Sequence, residues 1–152
     1  MRRQLFLPPT LKHARGWHEV LCIEVTKRLF QSGQAKNETA GTMTVEVKDE
    51  SGGCRIEIPF GEETLNQRLT LAVPAGDILL ATGELQGVSA RNILRGQIIS
   101  IEEKGNRTDV RVKSGVIWSV NVTRQAVNQL HLCVAQEVWL AIKTHSCYLL
   151  DE

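Results

Sequence analysis

Short runs of alternating apolar and polar residues, broken by glycine turns, recur twice along this chain and constrain its fold more than any other feature. Thr42-Met43-Thr44-Val45-Glu46-Val47 and Cys54-Arg55-Ile56-Glu57-Ile58 alternate with period two, the pattern of strands with one face buried. Between them Asp49-Glu50-Ser51-Gly52-Gly53 predicts a hairpin turn, because glycine accepts positive φ. Residues 20–25, 69–73 and 78–81 read as further strands, the last two separated by Pro74-Ala75-Gly76-Asp77. The stretch 31–40 is polar, shows no period and reads as a loop.

The second half repeats the scheme. Residues 96–103, 108–112 and 116–120 read as strands, with Lys104-Gly105-Asn106 and Lys113-Ser114-Gly115 as turns. Thr123 suits the N-cap of a short helix over 124–130, with Val127 and Leu130 facing inward. Residues 138–142 and 147–150 close the unit. The halves overlay: Val45-Glu46-Val47, Ser51-Gly52 and 54–58 match Val110-Arg111-Val112, Ser114-Gly115 and 116–120. Further on, 77–81 matches 137–141, which sets Gly83 against Lys143. This reads as a degenerate duplication of a five-stranded OB-like barrel. The predicted fold is all-β, with a leader over 1–18, a degenerate subdomain over 19–86 and a second subdomain over 87–152.

A chain of 152 residues, 42% hydrophobic, can bury a sizeable core as one or two small domains. Its formal charge of +1 lacks the basic excess of a protein that binds nucleic acid through phosphates. An OB-type single-strand binder would also need aromatics over a basic groove. Aromatics make up only 5% of the chain, and Trp118 and Trp139 fall in apolar strands. No apolar run reaches the roughly 18–20 residues of a membrane span. Cys22, Cys54, Cys133 and Cys147 form no CxxC pair and read as buried reduced thiols of a cytoplasmic protein. His13 and His18 are badly spaced for one helical face, so metal ligation by side chains is not expected.

Two polar elements stand out against the strands. Ser89-Ala90-Arg91-Asn92 heads the apolar run Ile93-Leu94-Arg95-Gly96-Gln97-Ile98-Ile99, and Lys143-Thr144 follows the strand Val138-Trp139-Leu140-Ala141-Ile142. Each sets a cation next to a hydroxyl. A tetrahedral oxyanion offers only acceptors and needs such donors around it. Lys143 can supply a point charge, Arg91 a planar fork, and Ser89, Thr123 and Thr144 hydroxyls. Backbone amides near Ala90, Arg91 and Asn92 can complete the shell. Residue types alone also allow a plainer role: Arg91 and Asn92 fixing the start of a strand, Lys143 an exposed lysine, Thr144 a turn residue.

The order of these elements, with Val122-Thr123-Arg124-Gln125-Ala126 between them, resembles the Mop/TOBE module. That family comprises molybdate-binding proteins and the C-terminal regulatory domains of molybdate-type ABC transporter ATPases. The resemblance covers 89–150 and, more loosely, 20–85. It implies tandem OB-like barrels and an oxyanion site for molybdate or tungstate formed by Ser89, Ala90, Arg91, Asn92, Thr123, Lys143 and Thr144. It further implies a homodimer or higher homo-oligomer in which the Ser-Ala-Arg-Asn element of one module faces the lysine of another. A molybdate ABC transporter is the implied partner, and the role is storage, sensing or transport regulation. A structural domain that kept the fold and lost the anion is the competing expectation, and an enzyme ranks last.

The chain departs from the family pattern at several positions. Ala126 stands where the family often has serine, Leu130-His131-Leu132 where it has Leu-Gly-Leu, and Val134-Ala135-Gln136 where it has a Pro-Gly turn. No Gly-x-x-x-x-Gly-Lys-Ser/Thr phosphate loop occurs, so this sequence carries no ATPase of that kind. It reads as a regulatory module standing alone, either natural or a fragment.

Overall fold

The computed structural model describes residues 20–29, 42–59 and 69–151. The expected leader and the polar loop 31–40 lie outside the described residues, as do the side chains of His13, His18 and Cys22. Ten strands are described: β1 (Val20–Leu29), β2 (Thr42–Asp49), β3 (Gly52–Pro59), β4 (Leu69–Pro74), β5 (Leu79–Ala81), β6 (Asn92–Lys104), β7 (Arg107–Ser114), β8 (Val116–Val122), β9 (Glu137–Ile142) and β10 (Tyr148–Asp151). One α-helix, α1 (Arg124–Gln129), joins β8 to β9. Short 3-10 turns, Ala75–Asp77 and Thr144–Ser146, follow β4 and β9. The architecture is all-β, as the alternation predicts.

The strands form two antiparallel five-stranded sheets, in the orders β10-β4-β1-β2-β3 and β5-β9-β6-β7-β8. The halves therefore exchange their last strands. β10, from the end of the chain, pairs with β4 of the first half (Tyr148↔Ala72), and β5 pairs with β9 of the second (Leu79↔Ala141). Both long first strands carry a bulge where they leave their hairpin partner, between Val25 and Lys27 in β1 and between Ile98 and Ser100 in β6. A bulge adds local twist and lets one strand pair with different neighbours at its two ends. Gly96 lies on the inside of that bend. A Cβ there would meet the Lys113 carbonyl at 2.6 Å and the Val112 side chain at 2.8 Å, so only glycine fits.

The exchange corrects the sequence overlay in one segment. The strand–turn–strand unit β4, Ala75–Asp77, β5 corresponds to β9, Thr144–Ser146, β10. Residues 77–81 therefore match the segment around β10, not 137–141, and the counterpart of Lys143 is Pro74, not Gly83. Pro74 and Lys143 each precede their 3-10 turn with similar backbone angles, φ −63° and ψ 129° against φ −71° and ψ 145°. The overlay slipped because β5 and β9 share an apolar pattern, and periodicity alone does not distinguish two strands of the same class.

One continuous core unites the halves. Val45, Val47, Ile56 and Ile58 from β2–β3 pack in the same cluster as Val110, Val112, Val116, Trp118 and Val120 from β7–β8, with Leu71, Val73, Leu140 and Ile142 between. Alternate residues of each hairpin supply them, since successive side chains of a strand point to opposite faces. The two hairpin turns also meet. Gly115 holds φ 73°, and a Cβ on it would collide with the Gly53 carbonyl. Asp49 caps its own turn through Oδ1, accepting from the Ser51 amide at 2.7 Å and the Gly52 amide at 3.1 Å, and reaches across through Oδ2 to the Ile117 amide at 2.8 Å. Burial pushes the Asp49 carboxyl up, but its hydrogen bonds from Ser51, Ile117 and Gly52 together hold it below the ordinary carboxylate value.

The thiols are not uniformly buried as expected. Cys147 is buried, Cys54 is intermediate, and Cys133 is exposed in the turn before β9. The apolar run around Cys133 is a turn after the helix and not a strand, so its alternation does not carry the thiol inward.

Candidate functional site

The Ser-Ala-Arg-Asn element and the lysine come together through one strand pairing. β6 and β9 run antiparallel with Asn92 opposite Ile142, so the residues just before β6 lie beside those just after β9. Ser89, Arg91, Lys143 and Thr144 line a single open cleft of about 720 Å³. The first half contributes Thr42, Glu57 and Pro59 to the lining, and His145 lines the cleft as well. The cation and the tetrapeptide thus meet within one module of one chain. The cleft is far larger than one tetraoxo anion.

Lys143 is exposed and precedes the 3-10 turn, whose Ser146 amide donates to the Lys143 carbonyl at 3.0 Å. Thr144 is buried. Arg91 is exposed and directs Nε to Glu57 Oε1 at 3.3 Å. The same Glu57 oxygen accepts from the Thr42 hydroxyl at 2.8 Å. Among the described residues, two cations, Arg91 and Lys143, therefore share the cleft with one carboxylate, Glu57.

The remaining expected residues have other places. Asn92 is buried, 5% exposed, and its side chain clamps the backbone of β3: Oδ1 accepts from the Glu57 amide at 2.8 Å, and Nδ2 donates to the Glu57 carbonyl at 2.8 Å. It joins the two halves. Ala90 is half-buried and does not line the cleft. Thr123 caps α1, its hydroxyl accepting from the Ala126 amide at 3.1 Å, and likewise does not line the cleft. The sequence reading missed Glu57, Thr42, Pro59 and His145. Three of these sit on the first half, where no local pattern marks them. Only the overlay, which sets Glu57 opposite Ser119, singles out an acidic residue there.

Trp118 is fully buried, and Trp139 is half-buried beneath the Arg95 guanidinium, 5.8 Å from its ring centre. Neither forms an open stacking platform. Among the described residues no helix is long and apolar enough to cross a membrane, and no group of three or more His, Cys, Asp or Glu is placed to hold a metal ion.

Residues 88–149, which carry both cations of the cleft, match the TOBE domain family model. This half of the chain is similar to the TOBE domain. Similar sequences include the molybdenum import ATP-binding protein ModC of Rhizobium meliloti (strain 1021), 33% identical over 96 residues, and the molybdate/tungstate import ATP-binding protein WtpC of Pyrococcus abyssi (strain GE5 / Orsay), 31% identical over 96 residues. Each match covers 62% of this chain and 27% of the relative, so the chain spans about a quarter of the length of these transporter proteins. The whole chain also resembles the crystal structure of the cytoplasmic molybdate-binding protein ModG with molybdate bound. The TM-score is 0.62 at 21% identity, covering 89% of this chain and 96% of that one. The tandem OB-like arrangement of the two halves is thus a known fold.

Proposed function

We propose that this chain is a molybdate- or tungstate-binding module acting in the cytoplasm, without catalytic activity, in storage, sensing or regulation of molybdate transport. The observation that carries the proposal is the convergence of Ser89, Arg91, Lys143 and Thr144 on one cleft of the half similar to the TOBE domain. Lys143 supplies the mobile charge, Arg91 the fork, and Ser89 and Thr144 neutral donors. The names of the related import proteins and of the ModG structure support molybdate and tungstate as the ligand class and a molybdate transporter as a partner.

Self-association is part of the proposal. The cleft is open on one side, and the first half offers Pro74 where the second has Lys143, so a second copy is needed to close the shell. An apolar row supports this. Leu79, Ala141 and Ile93 are successive cross-strand partners on β5, β9 and β6, and Leu79 and Ile93 are exposed. Light scattering at tens of micromolar with molybdate present is expected to show at least a dimer, and a monomer there counts against self-association.

Calorimetric titration tests the ligand. Hydrogen bonds to a charged partner contribute roughly 1.5–3 kcal/mol. Lys143→Ala should therefore weaken molybdate binding about ten- to a hundredfold. Thr144→Val should weaken it less, and sulfate should bind less tightly than molybdate, because donors set for the larger ion stand too far from the smaller one. Absence of molybdate binding by the wild type would overturn the proposal.

A further inference from the structure

The acidic residue in an anion cleft calls for an account. Glu57 is held rigidly: its backbone amide and carbonyl are both clamped by the buried Asn92 side chain, and its carboxylate accepts from Thr42. Its side chain is 23% exposed, against 67% for Arg91, which it engages at 3.3 Å. It is a positioned group and not a loose surface carboxylate. An ionised carboxylate has acceptors only, so it makes no hydrogen bond to a fully ionised tetraoxo anion and repels it. It also occupies the Nε donor of Arg91, the one guanidinium among the described residues that line the cleft. Its counterpart in the second half is the neutral Ser119, so the acid belongs to the degenerate half alone.

We infer that Glu57 is a built-in competing anion, through which the first half sets the affinity of the oxyanion cleft in the second. This rests on the reading that the cleft binds an oxyanion. In the empty cleft Glu57 holds Arg91 neutralised. An incoming dianion must draw the guanidinium away from it and tolerate the carboxylate nearby. The first half, which has Pro74 where the second has Lys143, thereby acts as an attenuator of its partner half.

The test is calorimetric titration of the full chain with sodium molybdate, comparing wild type, Glu57→Gln and Glu57→Ala, with thermal unfolding of each. Glutamine keeps an acceptor for Thr42 and removes only the charge. Glu57→Gln should bind molybdate about tenfold more tightly. Glu57→Ala should also bind more tightly than wild type, even with some loss of thermal stability. Binding by Glu57→Gln where wild type shows none would support the inference most strongly. Wild-type binding with unchanged or weaker affinity in both variants would overturn it and leave the oxyanion reading intact, with Glu57 a structural residue. No binding by any of the three would overturn both.

Discussion

Two residues hold a backbone conformation that their side chains disfavour. His131 has φ 50° and Ala135 φ 74°, the only non-glycine positive values among the described residues. These are the positions where the family resemblance implies glycine, at the helix end and in the turn before β9. The conformation is enforced by hydrogen bonds on either side: the Leu132 amide donates to the Val127 carbonyl at 3.0 Å, and the Ala135 amide to the Ile98 carbonyl at 2.8 Å. A left-handed L-residue is disfavoured by about 1–2 kcal/mol, offset in part by the roughly 0.5–1 kcal/mol of extra chain entropy that glycine loses on folding. Ala135→Gly is therefore expected to stabilise the fold by about 0.5–1 kcal/mol, read from urea unfolding. A destabilised Ala135→Gly would show that the strain is absent. The thiols give a second expectation at this scale. Burial pushes Cys54 up to about 11 and Cys147 up to about 12, from an ordinary 9.0. In the folded chain they keep protons that the unfolded chain releases, so their contribution to stability should be flat below pH 9.0 and be lost as pH rises from there to about 11–12. At pH 8 the exposed Cys133 should alkylate well before Cys54 and Cys147, as mass spectrometry would show.

At the scale of elements, the joints between hairpins carry the distinctive energetics. Asn92 satisfies two backbone groups of β3 from the first residue of β6. Asn92→Ala would leave a partly buried amide and carbonyl of Glu57 without these partners, at about 1–3 kcal/mol for each such group when fully desolvated. A loss of about 2–4 kcal/mol in urea unfolding is expected, and a loss under 1 kcal/mol would mean water replaces the clamp. Thr123→Ala should cost less, about 1 kcal/mol for a helix cap, and should leave molybdate affinity unchanged, because its hydroxyl is used at the helix and not at the cleft. The boundaries of these elements were largely legible. The helix predicted over 124–130 spans Arg124–Gln129, with Thr123 as its cap and Val127 and Leu130 packed on the core. The strand predicted over 96–103 instead spans Asn92–Lys104, because it pairs with β9 from Asn92 to Gln97 and with β7 from Gln97 to Lys104. Local alternation does not report a change of partner.

At the scale of the whole molecule, the strand exchange makes the two halves interdependent. The sequence division at 86/87 cuts the chain between units whose sheets each take a strand from across it. Neither half then holds all five strands of its own sheet, and both share one core. Fragments 19–86 and 87–152, expressed separately, should show little cooperative thermal unfolding by circular dichroism. An equimolar mixture should recover strand signal. Two independently cooperative fragments would mean each half closes on its own strands.

The sequence by itself determined the class of fold, the duplication, the hairpins and the capped helix, because these follow from periodicity, turn chemistry and caps within a dozen residues. It also marked Ser89, Arg91, Lys143 and Thr144, whose order along the chain carries the family likeness. Tertiary structure alone decided which of the marked residues share a cleft. Pairing Asn92 with Ile142 brought 89–91 to 143–144, while Asn92 itself was used to clamp β3 and Thr123 to cap a helix. It alone decided that Glu57, from the other half, faces Arg91. The reason is physical. Strand exchange and sheet register are set by long-range pairing and by the shared core, and a residue's neighbours along the chain carry no record of the partner that such pairing delivers.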